Sequence, residues 1–312
     1  MALKRQQAHR DFCNARRFHC PPEPAPTHCG PAMPSATRSP VPRPGIRAQE
    51  TGCPSAASAG HCLTRTIQPA VTTDLAHRID RRLDAHDWNA VRLSLDGAGR
   101  AVLPGLLRPG ECRQLAQAYD AGGDRYRSRI VMARHGFGRG EYQYFAYPLP
   151  EGLAVWRVAL YARLAPIACE WGARLGLSAD YPAHHADYLA RCHAAGQNRP
   201  TPLILRYREG DYNCLHQDLY GAEVFPLQCA VLLSAPGQDF EGGEFVMTEQ
   251  RAGHPAQADV LPLQQGDALV FAVHHRPAAG PRGWHRRAMR HGVAPVRAGE
   301  RHTLGIIFHD AT

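Results

Sequence analysis

Two histidines and an aspartate are spaced so that they could bind one metal ion. His216 and Asp218 form a His-x-Asp pair, and His291 follows 73 residues after Asp218. In an extended segment, residues i and i+2 point to the same side, so both members of the pair can face one ion while Gln217 points away. Two imidazoles and one carboxylate are the ligand set that holds Fe(II) in oxygenases, with open positions left for other ligands. The sequence therefore predicts an iron site made of His216, Asp218 and His291.

An arginine downstream of this triad could bind an acidic small molecule. Arg301 lies ten residues after His291 and opens the strand-like run 301–308. A buried guanidinium there can hold a carboxylate in a bidentate pair, which suits one end of a dicarboxylate. Thr303 would lie on the same strand face and could add a hydroxyl group. We therefore predict an anion site that uses Arg301 and Thr303.

The stretches around these residues resemble a known enzyme superfamily. The run 203–218 contains Arg-Tyr-x-x-Gly at 206–210 and Leu-His-Gln-Asp at 215–218. It is similar to the strand, turn and metal-binding strand of AlkB-like oxygenases. Gly-Gly-Glu at 242–244 and Gly-Asp-x-x-x-Phe at 266–271 resemble motifs of the wider prolyl-hydroxylase-like superfamily. The resemblance is close over residues 201–312. Within the superfamily, the chain looks most like a bacterial AlkB-like group proposed to demethylate damaged nucleic acid.

The resemblance implies an Fe(II)-dependent dioxygenase with 2-oxoglutarate and O2 as cosubstrates. It implies a catalytic role for the triad, binding of the far carboxylate of 2-oxoglutarate by Arg301, and a contact of Tyr207 with 2-oxoglutarate. The substrate it implies is an alkylated base of DNA or RNA that undergoes oxidative demethylation. The chain has Leu205 where the AlkB pattern has Asn, and Ile307 where that pattern has a second Arg. Hydroxylation of a protein side chain or of a small molecule therefore stays open, as does a binding role without catalysis.

Other histidines compete for the third ligand position, and they are His274, His275 and His285. His285 precedes Arg301 by 16 residues, a spacing closer to AlkB-like proteins. We prefer His291 because Arg-His-Gly-Val at 290–293 matches the family context better. We expect His302 and His309 to face outward or to satisfy a hydrogen bond in the core.

The pattern of short apolar runs predicts a mainly β fold with bracing helices. Helical spacing is found at 74–86, 109–119, 152–175 and 184–195, with a strand at 100–107 between the first two. From residue 201 onward the predicted strands are 201–208, 214–218, 224–234, 243–249, 258–263, 267–273, 284–293 and 302–309. Eight short strands separated by Gly-containing turns favour a double-stranded β-helix, a cupin-like jelly roll, with the metal ligands at its open end.

A segment rich in arginine and aromatic residues, 125–147, is a candidate substrate lid. Its residues Arg134, Arg139, Tyr142 and Tyr144 could contact phosphates and stack on a base. The alternative is a strand of a minor sheet, with aromatic side chains packed inward and arginines in solvent. Gly-Phe-Gly-Arg-Gly at 136–140 lacks a following helical pattern, which favours a flexible hairpin tip over a dinucleotide-binding loop.

Composition divides the chain into three parts. Residues 1–70 are rich in Pro and Arg, contain two aromatic residues and show no apolar periodicity, so we expect a disordered tail. Residues 71–200 are expected to supply helical support and the lid, and 201–312 the oxygenase core. The formal net charge of +8 lies mostly in the tail, where Lys4 and eight arginines face three acidic residues. A basic arm could touch the phosphates of nucleic acid, but a solvated tail is the simpler explanation and the one we prefer.

Cysteine usage and hydropathy indicate the cellular compartment that we expect for this protein. Five of the ten cysteines lie in the tail without a Cys-x-x-Cys pair, and the others, Cys112, Cys169, Cys192, Cys214 and Cys229, have the context of reduced core residues. The longest apolar stretch, 153–171, is interrupted by Arg157, Arg163 and Glu170. We therefore expect a cytoplasmic, monomeric protein that does not span a membrane.

Overall fold

The computed structural model describes residues 69–178, 180–219, 221–251 and 253–312. Almost all of the predicted tail, including its five cysteines, lies outside these residues. The described part contains five α-helices: α1 Pro69–Asp84, α2 Trp88–Ala98, α3 Pro109–Gln117, α4 Glu151–Arg174 and α5 His185–Ala194. Two short 3-10 helices cover Gly123–Arg125 and Met132–His135.

Fourteen strands are found within the described residues. The first four are β1 Arg100–Leu103, β2 Tyr126–Val131, β3 Gly138–Arg139 and β4 Glu141–Phe145. The next five are β5 Leu203–Arg208, β6 Tyr212–His216, β7 Leu227–Leu232, β8 Phe240–Gly242 and β9 Phe245–Gln250. The last five are β10 Gln257–Leu261, β11 Ala268–Ala272, β12 His275–Gly280, β13 Gly283–Val293 and β14 Val296–Ile306.

These strands form two antiparallel sheets that face each other. The larger has the order β1-β11-β7-β14-β5-β4-β2, with β8 added at β14, and the smaller has the order β10-β9-β13-β6-β3, with β12 added at β13. The ring of Phe245 on β9 lies 5.2 Å from that of Phe271 on β11, so side chains of the two sheets meet in one apolar core. This confirms the predicted double-stranded β-helix with bracing helices.

The helices pack beside both sheets: α2 contacts β1 and β11 of the larger sheet, and α2 and α4 contact β12 of the smaller one. The predicted apolar stripe of α4 is buried, with Leu160 and Leu164 fully inaccessible to solvent. Arg157 on the same helix is also buried and donates hydrogen bonds to the carbonyl oxygens of Ile307 and His309, at 2.8 and 3.1 Å. The helix α4 is long and apolar enough to cross a membrane. Helices in the core of a protein can have the same length and composition, and half of the most apolar stretch of α4 is buried here.

Several predicted boundaries need correction. The strand predicted at 214–218 is Tyr212–His216, the one at 302–309 begins earlier, at Val296, and β12 was not predicted. The helix α2 was also missed, although its signals are in the sequence: the Asp87 side chain accepts from the backbone N–H groups of Asn89 and Ala90, and Gly99 ends the helix at φ 68°.

Two further predictions, for 136–140 and for the cysteines, are confirmed in part. Residues 136–140 lie in the connection between the paired strands β2 and β4, as a hairpin tip requires, and Gly138-Arg139 within this connection forms β3 and pairs with β6. The five described cysteines are free, but Cys214 is exposed rather than part of the core.

Candidate metal centre and cavity

His216, Asp218 and His291 come together as the sequence predicts. One ligand atom from each lies within 4.8 Å of the other two. Nε2 of His216 is 3.5 Å from Oδ1 of Asp218, and Nε2 of His291 is 3.5 Å from Oδ2. Within the described residues this is the one such cluster of histidine, cysteine and carboxylate groups. His274, His275 and His285 do not belong to it.

The backbone places these ligands differently from the simple alternation predicted for a strand. His216 ends β6 opposite His291 on β13, whereas Asn213 lies opposite Val293, so β6 contains an extra residue there. A bulge of this kind changes the direction in which side chains point. Gly292 permits the close approach, because a Cβ atom at this position would lie 2.7 Å from the Asn213 carbonyl oxygen. Asp218 therefore follows the strand instead of continuing it.

Gln217, between the two ligands, fixes the segment that follows β6. Its side-chain amide donates to the carbonyl oxygens of His274 and Met289, at 2.7 and 2.8 Å. The backbone N–H of Asp218 faces the Val273 carbonyl oxygen at 3.4 Å. Gln217 thus points away from the triad, as predicted, and ties the ligand segment to two neighbouring parts of the chain.

The surroundings of His216 and Asp218 favour the protonation forms that bind a metal ion. Nδ1 of His216 lies 2.8 Å from the Cys214 carbonyl oxygen, so an N–H there leaves Nε2 free to face Asp218. Burial, and then the nearby His291, lower the pKa of His216. Burial would raise the pKa of Asp218, but hydrogen bonding and charge interactions with His291, together with the charge of His216, outweigh it and lower the pKa to about 2. A carboxylate beside a neutral imidazole is the form in which these groups bind metal.

The three ligands line one cavity of about 370 Å³. Its apolar wall includes Leu203, Leu205, Phe245, Phe271 and Val293. The volume falls in the range of small-molecule sites in proteins. Two nitrogens and one carboxylate facing a largely apolar cavity fit Fe(II) with its remaining positions directed at bound molecules.

Arg301 provides a buried cation for an acidic ligand. Its side chain is 2% exposed, and Nη1 donates to the Thr303 hydroxyl at 2.6 Å. Neither Nε of Arg301 nor the hydroxyl of the fully buried Tyr207 has a hydrogen-bond partner in the described chain. Burial lowers the pKa of Arg301 to about 10. No carboxylate of the described residues pairs with it, so these groups fit the end of a bound dicarboxylate.

Arg301 lies beside the cavity rather than in its wall. On the larger sheet Arg301 pairs with Tyr207 and Thr303 with Leu205, and Tyr207 and Leu205 both line the cavity. Arg301 itself lines a neighbouring cavity of about 390 Å³. Phe245 lines both cavities. The three predicted cosubstrate residues, Tyr207, Arg301 and Thr303, are therefore grouped at the boundary between the two spaces.

The predicted lid residues separate into two groups. Tyr142 and Tyr144 line the cavity, with ring centroids 5.3 Å apart in an edge-to-face arrangement. Arg134 and Arg139 are exposed and do not line it. The segment is not a free lid, because β4 pairs with both β2 and β5 in the larger sheet. The alternative of a sheet strand was therefore nearer to the structure, although its tyrosines face the cavity.

Sequence reasoning missed several cavity residues, namely Arg127, Asn213, Gln228 and His309. Arg127 lies at a register shift between β2 and β4, and no spacing rule in the sequence marks that position. The ring of His309 accepts a hydrogen bond from the Phe225 backbone N–H at 3.3 Å, which agrees with the predicted hydrogen bond in the core. The same ring also lines the cavity. His302 is buried away from it, with its ring edge against Tyr119.

Comparison with known proteins finds one family model that matches residues 140–311, more than half of the chain. The family is described as "Oxygenase, catalysing oxidative methylation of damaged DNA". Proteins of two strains of Mycobacterium tuberculosis, both described as uncharacterized, are each 47% identical over 167 residues, which is 54% of this chain and 72% of theirs.

Two solved structures are also similar to this chain. A Pseudomonas putida prolyl-4-hydroxylase has 16% identity and a TM-score of 0.43, over 70% of this chain and 96% of that one. An oxidoreductase of the 2OG-Fe(II) oxygenase family from Burkholderia pseudomallei has 17% identity and a TM-score of 0.44, over 73% of this chain and 94% of that one.

Proposed function

Because this chain belongs to the oxygenase family described as acting on damaged DNA, we propose that it uses Fe(II) and 2-oxoglutarate to demethylate alkylated bases of DNA or RNA oxidatively. The chain is an oxygenase, and therefore an oxidoreductase. The observation that carries the proposal is that the His-Asp-His triad and a pair of tyrosines line the same cavity. A base held by the tyrosines would present its methyl group toward the metal.

His216, Asp218 and His291 would hold the iron. When bound, Fe(II) with 2-oxoglutarate and O2 supplies the oxidation of a substrate C–H bond, and 2-oxoglutarate leaves as succinate and CO2. The low pKa of Asp218 keeps it a carboxylate at neutral pH, and burial, which lowers the pKa of His216, favours the neutral imidazole that binds a metal ion. The His216 bond to the Cys214 carbonyl oxygen keeps the imidazole in one orientation.

Arg301, Thr303 and Tyr207 would bind the far carboxylate of 2-oxoglutarate. Arg301 has an unpaired Nε and Tyr207 an unpaired hydroxyl, so a carboxylate would satisfy two buried donors at once. Hydrogen bonds to charged groups contribute about 1.5–3 kcal/mol each. The apolar side chains of Leu205, Phe245 and Phe271 would keep water away from the reacting groups.

Tyr142 and Tyr144 would hold the substrate base. Stacking of a base on an aromatic side chain contributes about 1–3 kcal/mol and does not depend strongly on the base. The base must leave its stack to enter a cavity of this size, which favours single-stranded nucleic acid. Recognition of the methylated position then requires polar groups in addition to the two rings.

The test is succinate formation by anaerobically purified protein that is then given Fe(II), 2-oxoglutarate and O2. We expect N-methylated single-stranded DNA to stimulate succinate formation, with one formaldehyde released per demethylation. Turnover that methylated DNA leaves unchanged would contradict the nucleic-acid substrate and direct the search to a protein side chain or a small molecule. Absence of turnover in protein with confirmed iron loading would favour a binding role.

A further inference from the structure

Arg127 is the one arginine or lysine among the described residues that line the cavity. The other charged or titratable lining groups are Asp218, Tyr side chains and three histidines. His216 and His291 belong to the triad, and burial lowers the pKa of His309 to about 4, which keeps it neutral at pH 7. The charge that a substrate meets therefore depends mainly on Arg127.

The local backbone directs Arg127 into the cavity. In the pairing of β2 with β4, Tyr126 lies opposite Phe145 and Ser128 opposite Tyr144, so Arg127 is the extra residue of a bulge. Its Nε donates to the Pro200 carbonyl oxygen at 2.8 Å, and its guanidinium carbon lies 4.3 Å from the centre of the Tyr144 ring. Neither terminal nitrogen of Arg127 makes a hydrogen bond or ion pair with the described residues. The two terminal nitrogens of Arg127 therefore remain as hydrogen-bond donors for a ligand. They lie beside the Tyr144 ring, on which that ligand would stack.

The charges of the loaded metal site cancel without Arg127. A divalent iron and the Arg301 guanidinium carry three positive charges, and Asp218 with a bound dicarboxylate carries three negative ones. Arg127 is then the one described lining group whose charge is not balanced by another group that lines this largely apolar cavity. A base that becomes cationic on methylation would be repelled there, whereas a methylated base that stays neutral could accept a hydrogen bond from Arg127 through a carbonyl oxygen without this repulsion.

On the basis of the proposed function, we propose that Arg127 makes the cavity selective for methylated bases that stay neutral and carry a carbonyl oxygen, such as N1-methylguanine and N3-methylthymine. Bases that methylation makes cationic, such as N1-methyladenine and N3-methylcytosine, are then the disfavoured class. Tyr144 orients the guanidinium, and the bulge at Arg127 supplies its direction. This selectivity rests on one side chain and can be removed without touching the metal ligands.

The experiment is equilibrium binding without turnover. Protein loaded with Fe(II) and 2-oxoglutarate under nitrogen is titrated into labelled single-stranded oligonucleotides that contain one methylated base, and fluorescence anisotropy gives each Kd. We expect the two neutral bases to bind about tenfold more tightly than the two cationic ones, the size of effect that one good arginine contact to a base edge gives. Arg127→Gln should reduce the ratio below about threefold, and Arg127→Lys should retain discrimination against the cationic bases because it keeps the charge.

The matched control is Arg113→Gln, which removes the same charge from an exposed position on α3 outside the cavity and should leave all four Kd values unchanged. Unchanged thermal melting of each variant establishes that it folds. Equal or tighter binding of the cationic bases by the wild-type protein would overturn the inference. So would an equal loss of affinity for methylated and unmethylated oligonucleotides in Arg127→Gln, because Arg127 would then contact the phosphate backbone.

The failure of this inference can be told from failure of the proposed function. Formaldehyde release from the cationic bases in preference to the neutral ones would overturn the selectivity and keep the demethylase. Two negative results together would overturn both the selectivity and the demethylase function. They are that no methylated oligonucleotide binds more tightly than its unmethylated counterpart, and that none releases formaldehyde.

Discussion

Two regions of the cavity depend on the same structural device. The metal region consists of His216, Asp218 and His291. What we call the mouth region consists of Arg127, Tyr142 and Tyr144. In each, an extra residue in a strand changes the direction of a side chain, in β6 for the metal region and in β2 for the mouth. They differ in how the chemistry is specified. Metal binding accepts few residue types, so the sequence reveals the ligands, whereas the mouth uses common residue types whose role depends on backbone direction. Reaction class and substrate choice are therefore encoded at different levels of this chain.

Removal of a metal ligand should give the largest difference between the two regions, because it should stop turnover and leave DNA binding intact. We expect Asp218→Ala to abolish iron-dependent turnover, because the loss of even an outer partner of a metal ligand costs about 10–100-fold and the loss of a ligand should exceed that. Binding of single-stranded DNA should persist, since Tyr142 and Tyr144 are unchanged. Succinate formation and anisotropy measure the two effects, and succinate production by the variant at the wild-type rate would refute the ligand assignment.

Arg301 tests whether the cosubstrate site is separate from both regions. Arg301→Gln keeps a hydrogen-bond donor but removes the charge, and we expect the KM for 2-oxoglutarate to rise about 10–100-fold. The affinity for iron, measured by anaerobic titration, should stay within about twofold of the wild-type value because Arg301 contacts no member of the triad. An unchanged KM would place the far carboxylate elsewhere.

Gln217 tests how far the metal region depends on its support. Gln217→Ala removes the two hydrogen bonds to the carbonyl oxygens of His274 and Met289. We expect iron affinity to fall about tenfold, the lower end of what outer partners of metal ligands contribute. Gln114→Ala, at an exposed position of α3, is the matched control. Equal iron affinity in the two variants would mean that the ligand segment is held in place without Gln217.

The smallest expected effect on activity concerns the packing of α5 against the segment that follows β14. His185 faces the Phe308 carbonyl oxygen at 2.8 Å, and burial, with a smaller contribution from Arg157, lowers the pKa of His185 to about 4. The unfolded chain, with an ordinary histidine pKa near 6.5, binds this proton at a higher pH than the folded protein. The free energy of unfolding should therefore fall as the pH falls from about 6.5 to 4, by at most ~1.4 kcal/mol per pH unit for this group.

Chemical denaturation between pH 7 and pH 5 measures this dependence. His185→Gln should reduce the slope, whereas His77→Gln, at an exposed position of α1, should leave it unchanged. A slope that is the same in the wild-type protein and in both variants would assign the acid sensitivity to other groups.

Sequence reasoning located the metal region, the buried cation and the fold, because each has a pattern that few other structures share. The structure brings His216 and Asp218 together with His291 as expected, but the local geometry differs from a regular strand, since β6 ends at His216 and contains a bulge. Arg127 could not be distinguished from Arg134 and Arg139, because the register shift that turns it inward follows from pairing between strands. The lack of a carboxylate partner for Arg301 among the described residues was likewise a property of the packed sheets and not of the local sequence.

Under the proposed function, that unpaired burial of Arg301 would link the supply of cosubstrate to the lifetime of the protein. Folding removes a guanidinium from water and leaves one of its donors without a partner, a cost that lowers the stability of the unliganded chain. A dicarboxylate that binds there stabilises only the folded state, by an amount that grows with the logarithm of its concentration. In a cell the protein would accordingly persist longest when 2-oxoglutarate is plentiful and be cleared sooner when it is scarce, so that nutrient state adjusts the amount of enzyme as well as its rate.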